Sequence, residues 1–139
     1  MIVLDTNVIS ELFRGEPDER VVAWLESLED EVAITAVTLA ELFAGLRRLP
    51  NGRRKAALEV AVLAVVDSYR GGHAVLPFDE SCAEAYADLL CERERAGLPI
   101  STADAQIAAI CLTHDAVCAT RNTKDFASTG VPLVDPWGF

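Results

Sequence analysis

Three acidic side chains stand where solvation alone does not account for them. Asp5 follows directly on the apolar run Ile2-Val3-Leu4. Glu41 is the only charged residue in TAVTLAELFAGL, positions 35–46. Asp104 is the only Asp, Glu, Lys or Arg in AGLPISTADAQIAAICLTH, positions 96–114. A carboxylate on an apolar surface is costly unless a partner or a metal compensates it. Gathered together, such groups repel, and one or more keeps its proton unless a cation intervenes. Oxygen ligands without His or Cys select Mg2+, or Mn2+ in its place, over zinc or copper. Mg2+ retains several waters and takes one or two direct carboxylates. Asp5 and Asp104 are therefore expected nearest the ion, with Glu41 acting partly through water. Such a site acidifies a bound water and shields a phosphodiester, while a carboxylate orients the water or accepts its proton. Thr6 and Asn7, flanking Asp5, are candidates to hold its carboxylate in place.

A fourth element is Thr120-Arg121-Asn122-Thr123-Lys124-Asp125-Phe126, which follows another apolar run. Asn122 suits a helix N-cap and Asp125 the first turn, so capping and the supply of a fourth oxygen are both open. Each of the three isolated acids also has a structural alternative. Asp5 could cap the following helix, Ser101 and Asp104 could form a capping box, and Glu41 could pair with Arg47.

The elements that must position these residues alternate along the chain. Apolar runs at 2–4, 32–35, 74–76, 116–119 and 131–134 predict strands, the last weakened by Pro132. Residues 18–28, 36–48, 54–69, 79–96 and 102–114 carry apolar residues at helical spacing, and a short helix is expected after Asn7. Pro50-Asn51-Gly52, Gly71-Gly72 and Gly97-Leu98-Pro99 punctuate the pattern, and Ser101 caps the helix that follows. Strand–helix alternation implies crossovers, a mostly parallel sheet and helices on both faces. Ligands of such sheets bind outside the carboxyl ends of the strands, where the candidate acids fall.

Composition narrows the class. The 139 residues fit one domain, 1–139, and at 51% apolar they suffice for a core. No apolar run reaches the ~20 residues that span a bilayer, and MIVLDTNVIS lacks secretory-signal features, so a cytoplasmic, non-membrane protein is expected. The formal charge of −10 argues against a broad electrostatic grip on nucleic acid and favours a basic partner or an acid-lined cleft. The cations Arg47, Arg48, Arg53, Arg54 and Lys55 cluster within nine residues, as a solvated corner or a phosphate contact. The four cysteines form no C-x-x-C pair, and Cys82, Cys91 and Cys111 lie among alanines and leucines, as small core hydrophobes do. No G-x-S-x-G elbow suggests a covalent route.

Four segments taken in order, IVLDTNVISEL, AEL around Glu41, DAQIAA from Asp104 and ATRNTKDF from Ala119, resemble the PIN-domain nucleases. The length resembles the VapC toxins of toxin–antitoxin pairs, particularly the FitB-like branch. The resemblance implies a three-layer α/β/α sandwich, Mg2+- or Mn2+-dependent RNA cleavage, a basic VapB-like antitoxin and a homodimer. It carries catalytic roles onto Asp5, Glu41 and Asp104. The family's fourth acid falls in the segment matching 120–125, where this chain has Asn122 and leaves Asp125 as the nearby carboxylate. Arg53, Arg54 and Lys55 become candidate contacts for RNA or antitoxin. Two rivals compete: a binding module that keeps the fold without catalysis, and an aspartyl-phosphate phosphatase. The latter wants a second acid where Asn7 stands.

Overall fold

The computed structural model describes residues 1–72 and 74–139, and the side chains at 71, 72 and 74 are not considered. Among the described residues, five short strands form one parallel sheet. They are β1 (Ile2–Leu4), β2 (Val32–Thr35), β3 (Ala74–Leu76), β4 (Val117–Ala119) and β5 (Leu133–Val134), in the order β3-β2-β1-β4-β5. Ile2 is in register with Val32 on one side and Val117 on the other, so β1 lies at the centre. Connections leave β1 towards β2 and β3 in one direction and towards β4 and β5 in the other. The crevice where this order reverses lies at the carboxyl ends of β1 and β4.

Among the described residues, seven α-helices surround the sheet: α1 (Thr6–Glu11), α2 (Glu19–Glu26), α3 (Ala36–Arg48), α4 (Arg53–Gly72), α5 (Ala83–Arg95), α6 (Thr102–Thr113) and α7 (Thr123–Phe126). The two-residue period of a strand sends alternate side chains into two cores. Val3, Ala33 and Cys118 pack with Leu89 of α5, Ile107 and Ile110 of α6 and Phe126 of α7. Ile2, Leu4 and Ile34 pack with Ile9, Trp24, Leu42, Leu46 and Val66 from α1 to α4. The result is the three-layer α/β/α sandwich expected from the sequence. Among the described residues, no helix is long and apolar enough to cross a membrane.

Local chemistry sets the boundaries. Asp5, Asp18, Thr35 and Ser101 each cap a helix through a side-chain oxygen, so α1 begins at Thr6, earlier than expected. The segment 79–96 divides into a 3₁₀ turn, Glu80–Cys82, and α5. Helix α5 closes in a Schellman motif: Leu98 N donates to Arg93 O at 2.9 Å and Gly97 N to Glu94 O at 3.1 Å. Gly97 there has φ +69°, which favours glycine. Strand β5 is shorter than expected because Pro132 has no N–H, although its carbonyl still accepts from Cys118 N at 2.9 Å. Cys82 and Cys111 are buried as expected. Cys91 is not: it lies on the exposed side of α5, where the helical period turns it away from Leu89 and Arg93.

Candidate active site

Asp5 emerges at the carboxyl end of the central strand and is 5% exposed. Its two oxygens are both engaged. Oδ1 accepts from Thr6 N at 2.8 Å, while Oδ2 accepts from Thr120 Oγ1 at 2.8 Å and Asn7 Nδ2 at 3.1 Å. The capping role open to Asp5 in the sequence is thus realised through one oxygen, and the other faces β4. Asn7 extends the network, since its Oδ1 accepts from Arg121 N at 3.2 Å. Thr120 Oγ1 in turn accepts from Asn122 N at 3.0 Å.

Thr6 makes a second link. Its backbone serves Asp5, but its hydroxyl turns to α3, donating to Glu41 Oε1 at 2.8 Å and lying 3.1 Å from Thr38 Oγ1. Glu41 is exposed and bonded to Thr6, whereas Arg47 lies over the Phe43 ring at 5.7 Å. Asp104, half-buried in the first turn of α6, donates its backbone N–H to Ser101 Oγ at 3.1 Å. The cap anticipated for it therefore exists, and the Ser101 hydroxyl bears on the Asp104 carboxylate as well.

Burial, opposed by the Thr120 and Thr6 hydrogen bonds and reinforced by Asp104 and Glu41, pushes the Asp5 carboxyl up from 3.8 to about 6. Asp104 is also raised, chiefly by burial; Ser101 opposes the rise, Asp125 and Glu41 add to it, and Arg93 works against it. These mutual influences place Asp5, Glu41, Asp104 and Asp125 in one electrostatic neighbourhood. Among the described residues, however, no three His, Cys, Asp or Glu side chains are gathered tightly enough to hold a metal as a group. An all-oxygen set with one buried carboxylate of raised proton affinity fits a hard divalent ion that keeps most of its waters. It does not form a closed protein cage.

Asn122 occupies the N-cap position of α7, with no side-chain capping bond among the described residues, and Asp125 is exposed in the first turn of that helix. Both line a small crevice of about 230 Å3 with Arg121, Thr123 and Lys124. Arg53, Arg54 and Lys55 open α4, apart from the hydrogen-bonded network. Arg54 alone among them joins it spatially, by lining a cavity of about 610 Å3 that also includes Thr6 and Glu41.

Thr120, Arg93 and Glu11 are among the buried polar residues that carry no mark in the local sequence. Thr120 is buried opposite Asp5, a consequence of β4 pairing with β1 that neither segment announces by itself. Arg93 is buried within ERER, which looks like a solvated charge run. Glu11 is buried near the end of α1, where it accepts from Asp18 N at 3.0 Å and pairs with Arg14 at 3.3 Å.

The description of the PIN domain as a family matches residues 2–131 of this chain. The chain belongs to the PIN-domain family. Within it the chain is a VapC/FitB-like toxin of the type II toxin–antitoxin class. This PIN domain is 40% identical over 138 residues to the VapC ribonuclease Y4jK of Sinorhizobium fredii, covering 99% of this chain and 98% of that protein. It superimposes on FitAcB from Neisseria gonorrhoeae with a TM-score of 0.91 at 41% identity, covering 100% of both chains. For FitAB bound to an IR36 DNA fragment the TM-score is 0.86 at 40% identity, covering 99% of this chain and 96% of that one.

Proposed function

We propose that this PIN domain, read as a single domain over 1–139, is a Mg2+- or Mn2+-dependent endoribonuclease toxin held inactive by a basic antitoxin of the VapB or FitA kind. The observation that carries the reading is Asp5. It is a buried carboxylate at the reversal of strand order, its proton affinity raised by burial and by Asp104 and Glu41.

Asp5 and Asp104 are the residues that would hold the ion. When bound, the ion supplies charge neutralisation for the phosphodiester and acidifies an attacking water. Thr120, Asn7 and the Thr6 N–H fix the Asp5 carboxylate before substrate arrives. Glu41, exposed and held through one oxygen by Thr6, has its other oxygen free of hydrogen bonds among the described residues, and is placed to accept a proton. Asp125, or Asn122, supplies a fourth contact at the α7 edge.

The antitoxin half of the reading rests on charge and shape. A chain of net charge −10 attracts a basic segment. The 610 Å3 cavity offers Phe13, Leu42, Leu46 and Leu58 to apolar side chains, with Glu41 within it to meet an arginine. Arg53, Arg54 and Lys55 stand beside it for RNA phosphates or antitoxin acids. A homodimer belongs to the same reading, supported by Val60 and Leu63, which are 71% and 44% exposed on α4.

The test is cleavage of RNA by the purified protein with Mg2+ or Mn2+, beside Asp5→Asn and Asp104→Asn. Loss in both variants and in EDTA is expected. Wild-type cleavage in the variants, or undiminished cleavage in EDTA, would overturn the mechanism. The rival, a PIN fold without catalysis, is favoured by Asn122 standing where the family carries an acid; it predicts no metal-dependent cleavage under any of these conditions.

A further inference from the structure

Arg93 is 3% exposed, yet it has no carboxylate partner in an ion pair among the described residues. Its guanidinium is spent on backbone. Nη1 donates to Ala127 O at 2.7 Å and Lys124 O at 3.3 Å, Nη2 donates to Pro99 O at 2.9 Å, and Nε has no partner among the described residues. Burying a cation this way is expensive, and an apolar side chain of similar volume would fill the space at lower cost. Core filling alone therefore does not explain an arginine here.

The acceptors identify what it connects. Pro99 lies in the loop between the Schellman turn and the Ser101 cap, so its position sets where α6 begins and where Asp104 falls. Lys124 and Ala127 bracket Asp125. One planar fork thus joins the segment that presents Asp104 to the segment that presents Asp125. A guanidinium suits this task because its donors are fixed in one plane, and turning it to satisfy one carbonyl moves the others. The far end of the fork is anchored as well, since Arg93 O accepts from Leu98 N in the same turn.

We propose that Arg93 is a positioning residue, whose guanidinium clamps the Pro99 and Lys124–Ala127 segments so that Asp104 and Asp125 address the same divalent cation. This rests on the metal-nuclease reading above. The clamp touches neither substrate nor ion; it acts through the two acids.

The experiment measures Mn2+ binding directly by calorimetry on metal-free protein, with thermal unfolding of each sample as the control for folding. Arg93→Met is expected to weaken Mn2+ binding about tenfold, in the range seen when groups supporting a ligand are removed. Arg93→Lys, which keeps the charge and part of the donor set, is expected to recover most of that loss. In an Asp125→Asn background the Arg93→Met effect should shrink to about twofold or less, because the clamp then has only one acid left to place. Should Arg93→Met not fold, Arg93→Lys alone decides, with weakening of about threefold expected. Unchanged Mn2+ affinity in folded Arg93→Met, or in Arg93→Lys where Arg93→Met does not fold, overturns the clamp whatever the melting temperature and leaves the nuclease reading intact. Absence of Mn2+ binding by the wild-type protein overturns both.

Discussion

The Thr120 hydroxyl donates to Asp5 Oδ2 at 2.8 Å, joining residues 115 positions apart in the chain. The bond exists because β1 and β4 are parallel neighbours that end level, Leu4 in register with Ala119. The next residue of each strand then faces the other across the crevice. Thr120 also accepts from Asn122 N, so one hydroxyl orients both the central carboxylate and the start of α7.

Replacing that hydroxyl removes both duties at once. Thr120→Val keeps the shape but leaves Asn122 N without its acceptor and Asp5 Oδ2 with one donor fewer. The expected cost is about 1–3 kcal/mol in chemical denaturation, and a fall of about 10–100-fold in RNA cleavage at saturating Mn2+. Thr120→Ser should restore most of both.

Acidity of Asp5 makes a prediction about stability in the absence of metal. Its carboxyl ordinarily ionises at 3.8 and is pushed up to about 6 in the folded chain. Below 3.8 it is protonated whether the chain is folded or not, and imposes no penalty. Between the two values the folded chain keeps a proton that the unfolded chain has released, so stability falls as pH rises. Above pH 6 the full penalty, about 3 kcal/mol, persists. Asp5→Asn removes it but turns an amide towards the Asn7 and Thr120 donors, which offsets part of the gain. Metal-free Asp5→Asn is expected to melt about 3–6 °C above wild type at pH 7 and to lose that advantage near pH 4. Mn2+ should raise the melting temperature of the wild type at pH 7 and leave the variant unmoved.

The fourth corner of the site can be assigned by substitution. Asp125 raises the proton affinity of Asp104, whereas Asn122 presents a side chain with no capping bond at the head of α7. Asp125→Asn is expected to raise the Mn2+ concentration for half-maximal cleavage about tenfold, and Asn122→Ala to change it far less. Asn122→Asp, which adds an acid to the same crevice, should lower it. A metal titration of cleavage rate that ranks the three in another order would reassign the role.

The cations at the start of α4 divide by position. Arg54 lines the large cavity with Glu41, while Lys55 donates to Asn51 Oδ1 at 3.3 Å on the outer turn. Neutralising Arg53, Arg54 and Lys55 together is expected to weaken RNA or antitoxin binding about tenfold at low salt and to flatten its salt dependence. Fluorescence anisotropy at two ionic strengths would show it. Equal affinities and equal slopes would remove these residues from both interfaces.

What was legible in the sequence follows from how local each feature is. The helix spanning 36–48 was readable to the residue, because Thr35 caps it and its apolar spacing needs no partner for recognition. Asp5, Glu41 and Asp104 stood out because each interrupts an otherwise uncharged stretch. Thr120 was hidden since its importance depends on which strand lies beside β1, a long-range choice with no local mark. Arg93 was hidden for the opposite reason: it stands among Glu92, Glu94 and Arg95, all exposed, and only the helical phase turns it inward. Cys91 misled in the same segment by residue type, where phase again decided.

The central place of β1 also governs when this protein becomes complete. Synthesis delivers Asp5 and β1 before either neighbour, and β2 can join β1 well ahead of β4. The neighbour on its other side, and the threonine that holds its carboxylate, come only at residues 117–120. A chain released by the ribosome between residues 104 and 117 contains Asp5, Glu41 and Asp104 but lacks the strand that completes the crevice and the hydroxyl that fixes the first acid. On the proposed nuclease reading, translation that stops short of β4 therefore yields fragments without an assembled site.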